Sequence, residues 1–560
     1  MVSSVSHVLR GQFDPWTLSL AGSFTFVWLS LYSRRPSFLA FATLGFVPLL
    51  LIPDYSVTEC LEGTVVGNVL SQVPATYGAA ALFLLVTGAS CLLMRKPKRK
   101  DDDYIVDESC FADFKLVGKV NREYTLDEIP TLVQEMQRSY ASGITRPVSK
   151  RKEQLRQLRK FFVENEERII AAVHEDLKRP RFETIYYDVA LPIAEIDDAL
   201  HKLDQWMEPE PVGPHILSFP STQWTQPEPY GVALVIGTWN FPFQLELVPA
   251  LGAIAAGNTV IIKPCNTSKA CARLLADVLP KYMDPRVVQV VGANFKGDRE
   301  CTAKLLEEKT DIIFFTGSPT VGRVIMQGAA QHLTPCVLEL GGKNPVYVDK
   351  SADIDLAAKR CVWARNFNCG QQCIAPDFVL CHKDVIEQFK ERCRHYCQVM
   401  YENNEDDPNI GRVVGDKQMD RLVGLLNSHG GQVVAGGQFD RKKRYIAATV
   451  IHVSRTSTLM QDETFGPILA VTEAESVEDA IAEINSRPKP LALYIFAQDE
   501  AVQRRVVENT SSGGVTVNSC LFHVGHPGLP FGGIGNSGMG AYHGENSHET
   551  IVCLCLLLRF

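Results

Sequence analysis

The stretch Val232-Ala233-Leu234-Val235-Ile236-Gly237-Thr238-Trp239-Asn240-Phe241-Pro242 joins five apolar residues to a glycine and then to a polar and aromatic segment. A short apolar run of this kind is typical of a buried strand. Similar runs return along the chain, with helical stretches between them, at residues 232–236, 259–262, 287–291, 312–315 and 337–340. Strands that alternate with helices in this way predict an α/β fold with a parallel sheet covered by helices.

Reactive groups follow two of these predicted strands. Asn240 comes after the first run, and Glu339 lies at the end of the last one. In an open α/β sheet, ligands bind at the carboxyl ends of the strands. Further along, the segment 367–376 holds two thiols four residues apart, Cys369 and Cys373. A thiol, a carboxylate and an amide that converge at one sheet edge can serve as nucleophile, general base and oxyanion donor.

The thiols have two other readings when they are considered alone. Buried cysteines are most often small core residues, and two of them could be half of a metal site. A spacing of four residues, with no nearby His-x-x-His or second cysteine pair, argues against zinc. We therefore predict no metal.

Five short motifs occur together with these groups. In chain order they are Trp239-Asn240-Phe241-Pro242, Phe315-Thr316-Gly317-Ser318, Glu339-Leu340-Gly341-Gly342-Lys343, Gly370-Gln371-Gln372-Cys373 and Glu463-Thr464-Phe465-Gly466-Pro467. In this order the sequence resembles the aldehyde dehydrogenase superfamily over roughly residues 123 to 550. Residues 530–544 resemble its class 3, fatty-aldehyde branch. The resemblance implies a Rossmann-like dinucleotide domain, an α/β catalytic domain and a β oligomerisation arm.

The resemblance also implies an activity, the oxidation of a long-chain or other apolar aldehyde to the acid through a cysteine thiohemiacetal and thioester. Cys373 matches the nucleophile, Glu339 the base and Asn240 the oxyanion donor, whereas Cys369 has no role to carry over. The alternatives are an apocarotenoid-type aldehyde as substrate, transfer of the thioester to coenzyme A, and a non-catalytic membrane scaffold. Glu339 argues against the coenzyme A reaction because hydrolysis needs that base, and the intact trio argues against the scaffold.

The expected cofactor is NAD, with NADP as a possible second one. The resemblance implies that Lys263 contacts the adenosine ribose, Ser318 the pyrophosphate and Glu463 the nicotinamide ribose, with Phe465 packed beside the nicotinamide. Ser318 opens a predicted helix, where a phosphate can bind, although it could be a plain N-cap. The other residues predicted to bind the cofactor are Thr238, Trp239, Asn266, Gly317 and Gly322.

A second glycine pattern is misleading. Residues 533–538 spell the glycine fingerprint of Rossmann folds. They lie near the end of the chain, where no later βαβ unit can follow, so we interpret them as a glycine-rich loop and not as a dinucleotide site.

Composition limits the remaining possibilities. The chain has 560 residues, which suggests two or more domains. Its net charge of -8 and the lack of a basic stripe argue against nucleic acid binding. The 16 cysteines have no framework spacing and are typical of reduced thiols that face the cytosol.

The first hundred residues predict a membrane anchor, with spans near residues 16–32, 36–53 and 76–94. Arg34-Arg35 follows the first run where a cleaved signal peptide would have small residues. Residues 95–100 are strongly basic, so the positive-inside rule places the enzyme body in the cytosol, on the endoplasmic reticulum or another organelle membrane. A single span near 76–94 with an interfacial segment is the alternative.

These patterns give the expected domains. Residues 1–103 are the anchor and linker, 104–210 and 230–341 the dinucleotide-binding domain, and 342–540 the catalytic domain. The resemblance implies that residues 211–229, which are broken by prolines, and 541–560 are the oligomerisation arm of a homodimer. The apolar segment 551–558 is too short to span a membrane and could be an interface strand or carry acylated cysteines.

Overall fold

A computed structural model describes residues 101, 104–117, 124–213, 215–218, 221–292, 298–402, 404–550 and 552–559. The three predicted membrane spans lie outside these residues. Among the helices within the described ranges, none is both long enough and apolar enough to cross a bilayer.

Fourteen α-helices are found in the described part of the chain. They are α1 Ile129–Ala141, α2 Val148–Leu177, α3 Arg181–Ile185, α4 Leu191–Trp206, α5 Gln244–Ala256, α6 Lys269–Val278, α7 Asp298–Glu307, α8 Pro319–Ala330, α9 Ile354–Asn366, α10 Ile386–Tyr401, α11 Asp416–Ser428, α12 Val477–Asn485, α13 Glu500–Asn509 and α14 Gly544–Thr550.

The same residues form eighteen strands. They are β1 Glu210–Val212, β2 Thr222–Pro229, β3 Val232–Ile236, β4 Thr259–Lys263, β5 Val288–Val290, β6 Ile312–Gly317, β7 Cys336–Leu340, β8 Pro345–Val348, β9 Phe378–His382, β10 Gln432–Ala435, β11 Phe439–Asp440, β12 Tyr445–Ile446, β13 Thr449–His452, β14 Ile468–Ala474, β15 Ala492–Phe496, β16 Gly514–Val517, β17 Gly538–Met539 and β18 Val552–Arg559.

The first large sheet contains the five strands that the apolar runs predict. Its order is β17-β7-β6-β3-β4-β5, and every pair is parallel except β17 with β7. All five residues of β3 and of β4 are buried, because helices cover this sheet. Helix α5 is buried over its whole length and connects β3 to β4. The α/β prediction is confirmed, with strand ends within two residues of those expected.

The second large sheet has the order β10-β13-β14-β9-β8-β15-β16 and is parallel apart from β10. One compact unit, Lys98–Pro209 with Thr225–Leu557, contains both large sheets. The first sheet uses residues from 232–340 and 538–539, and the second uses residues from 345–517. The exact domain boundaries given above stay a prediction.

Apolar residues that recur at three- and four-residue steps after residue 150 form the buried face of α2, with Leu155, Leu158, Phe162, Ile169 and Val173. The predicted strands of the arm are present as β1 and β2, and the apolar end of the chain is β18. These three strands form a small sheet in the order β1-β2-β18. The strand reading of the last segment is therefore the one that the structure has.

Candidate active site

The segment that carries Cys373 is a strained loop. A 3-10 turn, Phe367–Gly370, follows α9. Asn368, Cys369 and Gly370 have φ angles of 49°, 55° and 70°, in the left-handed region that side chains other than glycine rarely occupy. At Gly370 a β-carbon would lie 2.2 Å from the Gly466 carbonyl oxygen, so only glycine fits there. Consecutive strained residues persist only where the surroundings hold them, and they are typical of functional sites.

Hydrogen bonds from the loop's own amides hold it. The Gln371 side chain donates to the Asn368 carbonyl at 3.1 Å and to the Arg412 carbonyl at 3.0 Å. The Gln372 side chain donates to the Phe367 carbonyl at 3.0 Å. The side chains of the two glutamines between the thiols therefore hold the backbone of the loop that carries Cys373.

Cys373 is partly exposed, whereas Cys369 is buried. Burial of its sulfur raises the pKa of the Cys373 thiol well above its usual value, and the nearby Glu463 and Glu339 carboxylates raise it further. The backbone N–H groups of Cys373 and Ile374 act in the opposite direction and lower this pKa. The resting group is thus a protonated thiol that needs a base to become a nucleophile.

Glu339 is part of β7, where it pairs with Thr316 of β6 on one side and with Gly538 of β17 on the other. Its side chain is buried, and neither carboxylate oxygen has a hydrogen-bond partner among the described residues. Burial raises the pKa of Glu339 well above its usual value. The glycine-rich segment 533–538 therefore ends beside the proposed base, in agreement with its interpretation as a loop.

Asn240 is fixed at both its side chain and its backbone. Its side-chain amide donates to the Gln371 carbonyl at 3.0 Å, which places it against the Cys373 loop. Its backbone carbonyl accepts hydrogen bonds from Arg179 and from the Asn368 side chain, both at 2.9 Å. The structure thus joins the thiol loop to the amide that was predicted to hold the oxyanion, across about 130 residues of sequence.

Arg179 was not identified from the sequence. It is fully buried, forms an ion pair with the equally buried Asp188, and lies 4.9 Å from the ring centroid of Phe241. Asp188 in turn accepts the backbone N–H groups of Phe243 and Gln244 at 2.9 and 3.0 Å, at the start of α5. The only sequence signal for this pair is that two charges lie in a segment with many apolar residues.

Tyr542 was also missed. Its ring packs on Phe314, with centroids 5.2 Å apart, and its hydroxyl is buried without a partner among the described residues. Burial raises the pKa of Tyr542 well above its usual value, and the charges of Glu339 and Cys373 add to that effect. The phenol therefore lies close to both reacting groups.

Glu463 and Phe465, which were predicted to contact the nicotinamide end of the cofactor, form a second group, and Glu463 lies close enough to Cys373 to raise its pKa. Glu463 accepts the Gly342 backbone N–H in one long hydrogen bond of 3.4 Å, and its pKa is raised to about 8 by burial and by the charge of Asp377. Phe465 has a φ of 45° and makes an edge-to-face contact with Trp239 at 5.5 Å. A carboxylate with such weak protein bonding suits the hydroxyl donors of a ribose.

The residues predicted to bind the adenosine end of the cofactor follow strands of the first sheet. Lys263 ends β4, and the Asn266 side chain donates to the Gly292 carbonyl at 2.8 Å. A β-carbon at Gly292 would lie 3.6 Å from the Lys263 side chain, so both residues meet at this glycine. Thr238 and Trp239 follow β3 and are partly exposed.

Ser318 is the N-cap of α8, and its hydroxyl accepts the Val321 N–H at 3.4 Å. The alternative reading as a cap is therefore correct, and it leaves the helix N-terminus available for a phosphate. Gly317 and Gly322 each have a packing reason, because a β-carbon would approach Phe315 to 2.4 Å and Leu340 to 2.9 Å. No group of three or more possible metal ligands is found within the described ranges.

The site lies within a stretch of sequence that matches a known protein family. Residues 103–553 match the model of the aldehyde dehydrogenase family. The chain belongs to this family. It is 42% identical over 427 residues to the rat protein "Aldehyde dehydrogenase, dimeric NADP-preferring", an alignment that covers 76% of this chain and 93% of the rat one.

Two further relatives support the predicted branch. The chain is 42% identical to mouse "Aldehyde dehydrogenase family 3 member B1", with 76% of this chain and 90% of the relative covered. It is 41% identical to "Aldehyde dehydrogenase family 3 member A2" of Pongo abelii, with 75% and 85% covered. Among solved structures, "Substrate bound state of Staphylococcus Aureus AldH" has a TM-score of 0.75 and 37% identity, and the match covers 77% of this chain and 94% of that one. The protein is an aldehyde dehydrogenase that oxidises aldehydes to acids with a nicotinamide dinucleotide.

Proposed function

We propose that this aldehyde dehydrogenase oxidises long-chain, apolar aldehydes, with Cys373 as the nucleophile, Glu339 as the base and Asn240 as the oxyanion donor. The observation that supports these roles best is the Asn240–Gln371 hydrogen bond of 3.0 Å, because it ties the amide to the thiol loop. Buried beside them, Glu339 has two carboxylate oxygens without a partner among the described residues.

The reaction follows from these groups. The sulfur of Cys373 forms a bond to the aldehyde carbon, and the thiol proton leaves to a base. The carbonyl oxygen becomes an oxyanion that accepts hydrogen bonds from the Asn240 amide and the Cys373 backbone N–H, and one such donor is worth about 3 kcal/mol. A nicotinamide dinucleotide held by the residues described below would supply the hydride acceptor for the oxidation of that carbon. Loss of the hydride leaves a thioester between the Cys373 sulfur and the acyl carbon. Glu339 then takes a proton from water, and the hydroxide attacks the acyl carbon. The C–S bond breaks to release the acid, and the proton on Glu339 passes to the sulfur, which returns Cys373 to its starting thiol.

The bound dinucleotide would be held by residues of this chain that fit it. Glu463 offers a partly buried, weakly bonded carboxylate to a ribose. The N-terminus of α8, capped by Ser318, offers backbone dipoles to the pyrophosphate. Lys263 and Asn266 meet at Gly292 and would face the adenosine end.

An aromatic path supports an apolar substrate. Tyr187 is buried and close enough to Cys373 for the thiol to act on its pKa, which burial raises. Ring-to-ring contacts with centroids 4.8 to 6.5 Å apart lead from it to the surface. The rings are Phe182, Tyr186, Tyr187, Phe241, Phe367, Trp363 and Phe522. The rings at both ends of this series are exposed, Phe182 to 74% and Phe522 to 49%.

A series of straight-chain aldehydes tests the substrate class. Each methylene that leaves water for an apolar path contributes up to about 0.8 kcal/mol, so kcat/KM should rise up to about fourfold per added carbon until the path is filled. Phe182→Ser at the mouth should reduce the gain for long chains only, whereas Phe439→Ser, a similar change at another exposed phenylalanine, should not. A kcat/KM that is independent of chain length would refute the proposal. A preference for a rigid polyene aldehyde over a saturated one of equal length would favour the apocarotenoid-type alternative.

We infer that NAD is used and that NADP is a second usable cofactor; the rat relative is named as an NADP-preferring enzyme. The position two residues after Pro264 is Asn266, an amide without charge, where the family commonly has a glutamate. Its side-chain nitrogen donates to the Gly292 carbonyl, and the oxygen of an amide can accept a hydrogen bond from a ribose hydroxyl. A carboxylate there would repel a 2′-phosphate, since two like charges ~4 Å apart repel by about 4 kcal/mol near a protein surface. The ammonium of Lys263 would attract the same phosphate.

Asn266→Glu tests this account. The variant should lower kcat/KM with NADP at least about tenfold relative to NAD, because the introduced charge repels the 2′-phosphate. Asn409→Glu adds the same charge at an exposed position and should leave the ratio unchanged. A parent enzyme that already rejects NADP by thousands would show that another residue sets the choice.

We further propose that residues 1–100 anchor the protein to the endoplasmic reticulum or another organelle membrane, with the catalytic body in the cytosol, and that the enzyme is a homodimer. The hydropathy of segments 16–32, 36–53 and 76–94 supports the anchor. The word "dimeric" in the name of the rat relative supports the homodimer for this chain.

A truncated protein tests the anchor. It should begin at Asp101, because that carboxylate accepts the Val148 and Ser149 N–H groups at 2.7 and 3.1 Å at the start of α2. We expect a soluble protein, of dimeric size in light scattering, that oxidises short aldehydes. A truncated protein that still pellets with membranes at high salt would place the anchor elsewhere, with residues 552–559 as the first suspect.

A further inference from the structure

One buried carboxylate that the reaction does not use receives donors from three separate segments. Asp377 lies four residues after Cys373 and is 1% exposed. Lys343 contacts it at 2.5 Å and Arg365 at 3.3 Å. Thr464 donates to it twice, through its backbone N–H and its hydroxyl, both at 2.9 Å. Together these donors satisfy both carboxylate oxygens.

The charged and hydrogen-bonding neighbours of Asp377 favour its ionised form. Burial alone would raise the pKa of Asp377, but the charges of Lys343 and Arg365 and the hydrogen bonds hold it below its ordinary value. Asp377 is therefore an ionised carboxylate inside the protein, and its hydrogen bonds are charge-assisted and strong.

The segment that these bonds hold is the one that presents Glu463 and Phe465. The cations on Asp377 also bond to the backbone of this segment, Lys343 to the Asp462 carbonyl at 2.9 Å and Arg365 to the Gly466 carbonyl at 2.7 Å. Asp377 and its two cations thus fix residues 462, 464 and 466, which alternate with Glu463 and Phe465.

Phe465 shows why so many bonds are needed. Its φ of 45° lies in the left-handed region, which is unfavourable for a bulky side chain. Such a conformation persists only if the surrounding structure determines it. The hydrogen bonds to Thr464 and Gly466, on either side of Phe465, provide that restraint.

We propose that Asp377 is a positioning residue for the nicotinamide end of the cofactor, because it locks residues 462–466 in the conformation that turns Glu463 and Phe465 toward the bound ring and ribose. The proposal rests on the dinucleotide site proposed above. The proposal predicts an effect on the nicotinamide end of the cofactor only. The side chains that contact Asp377 are Lys343, Arg365 and Thr464, and none of them is among the residues proposed for the adenosine end, which are Lys263, Asn266 and Ser318.

The experiment compares a ligand that uses both ends of the site with one that uses only the adenosine end. Calorimetry on the full chain measures the Kd of NAD and of ADP, which lacks the nicotinamide and its ribose. In Asp377→Asn, the Kd of NAD should rise about tenfold or more, while the Kd of ADP stays within about twofold. The KM for NAD should rise in the same way, with the KM for aldehyde unchanged. Asp277→Asn, the same change at an exposed position, should alter neither ligand.

A milder variant protects the test from a folding defect. Thr464→Val removes only the hydroxyl bond to Asp377, so it should weaken NAD by a few-fold and leave ADP unchanged. Equal weakening of NAD and ADP in both variants would show a general structural role and overturn the inference, as would NAD binding as tight as that of the parent. A parent that bound neither NAD nor NADP would instead overturn the proposed function itself.

Discussion

Replacing Glu339 by glutamine separates the two halves of the proposed reaction. Glutamine has the same shape, so it fits the buried space at the end of β7, but it cannot accept a proton from water. General base catalysis contributes about 10²–10⁴-fold, so steady-state turnover should fall by that factor. Formation of the thioester needs Cys373 and Asn240, so the first equivalent of reduced cofactor should still appear.

The structure also bounds the folding cost of this change. Both Glu339 oxygens are buried without a partner among the described residues, so a glutamine N–H₂ there would also find no acceptor. An unsatisfied buried donor costs about 1–3 kcal/mol, which lowers the melting temperature without unfolding a stable domain.

Stopped-flow absorbance of reduced cofactor is the assay. We expect a burst that approaches one equivalent per active site and then a stall, whereas Glu500→Gln, at an exposed position, should turn over like the parent. Loss of the burst together with turnover would refute the reasoning, because Glu339 would then be needed for the first step and not only for hydrolysis.

Three other predictions concern neighbours of the same loop. Cys373→Ala should abolish aldehyde oxidation, and Cys369→Ala should keep most of it because Cys369 is buried; equal losses would reverse the assignment of the nucleophile. Asn240→Ala should lower kcat about 100-fold, the effect of one lost oxyanion donor, with little change in the KM for NAD; an unchanged kcat would remove Asn240 from that role. Burial raises the pKa of Glu183 from 4.5 to about 7, so the native state retains a proton in this range and loses stability as pH rises from about 4.5 to 7. Glu183→Gln, which does not titrate, should gain in melting temperature over the parent between pH 5 and pH 8, and parallel curves for the two proteins would contradict this.

The strands of the first sheet could be predicted closely because they are buried on both faces. Strands of this kind appear in the sequence as continuous apolar runs. Because the strands are parallel, the residues that follow them lie at the same edge of the sheet. This is why Asn240, Lys263 and Glu339 could be placed at one edge before any contact was known. The resemblance then assigned them roles that spacing alone could not.

Other parts of the site depend on contacts between residues that are far apart in the sequence. Nothing local indicates that Asn368, Cys369 and Phe465 have left-handed backbones, because these residue types also occur in ordinary turns and strands. Their conformations are held by partners such as Glu183, which accepts the Asn368 N–H at 2.9 Å from 185 positions away. A single sequence gives no sign of such pairings, so Arg179 and Asp377 were missed.

The acidic groups of the completed site act on one another's charge state. Cys373, Glu339 and Glu463 are all acids, and ionised Glu463 and Glu339 both raise the pKa of the thiol. Two negative charges in a buried site are unfavourable, so the site resists having its thiol and its carboxylates ionised at once. The raised pKa therefore favours the protonated thiol at Cys373, and the thiolate is the reactive form. We expect a bound ligand that brings positive charge to lower the pKa of the thiol, because a nearby positive charge favours the thiolate.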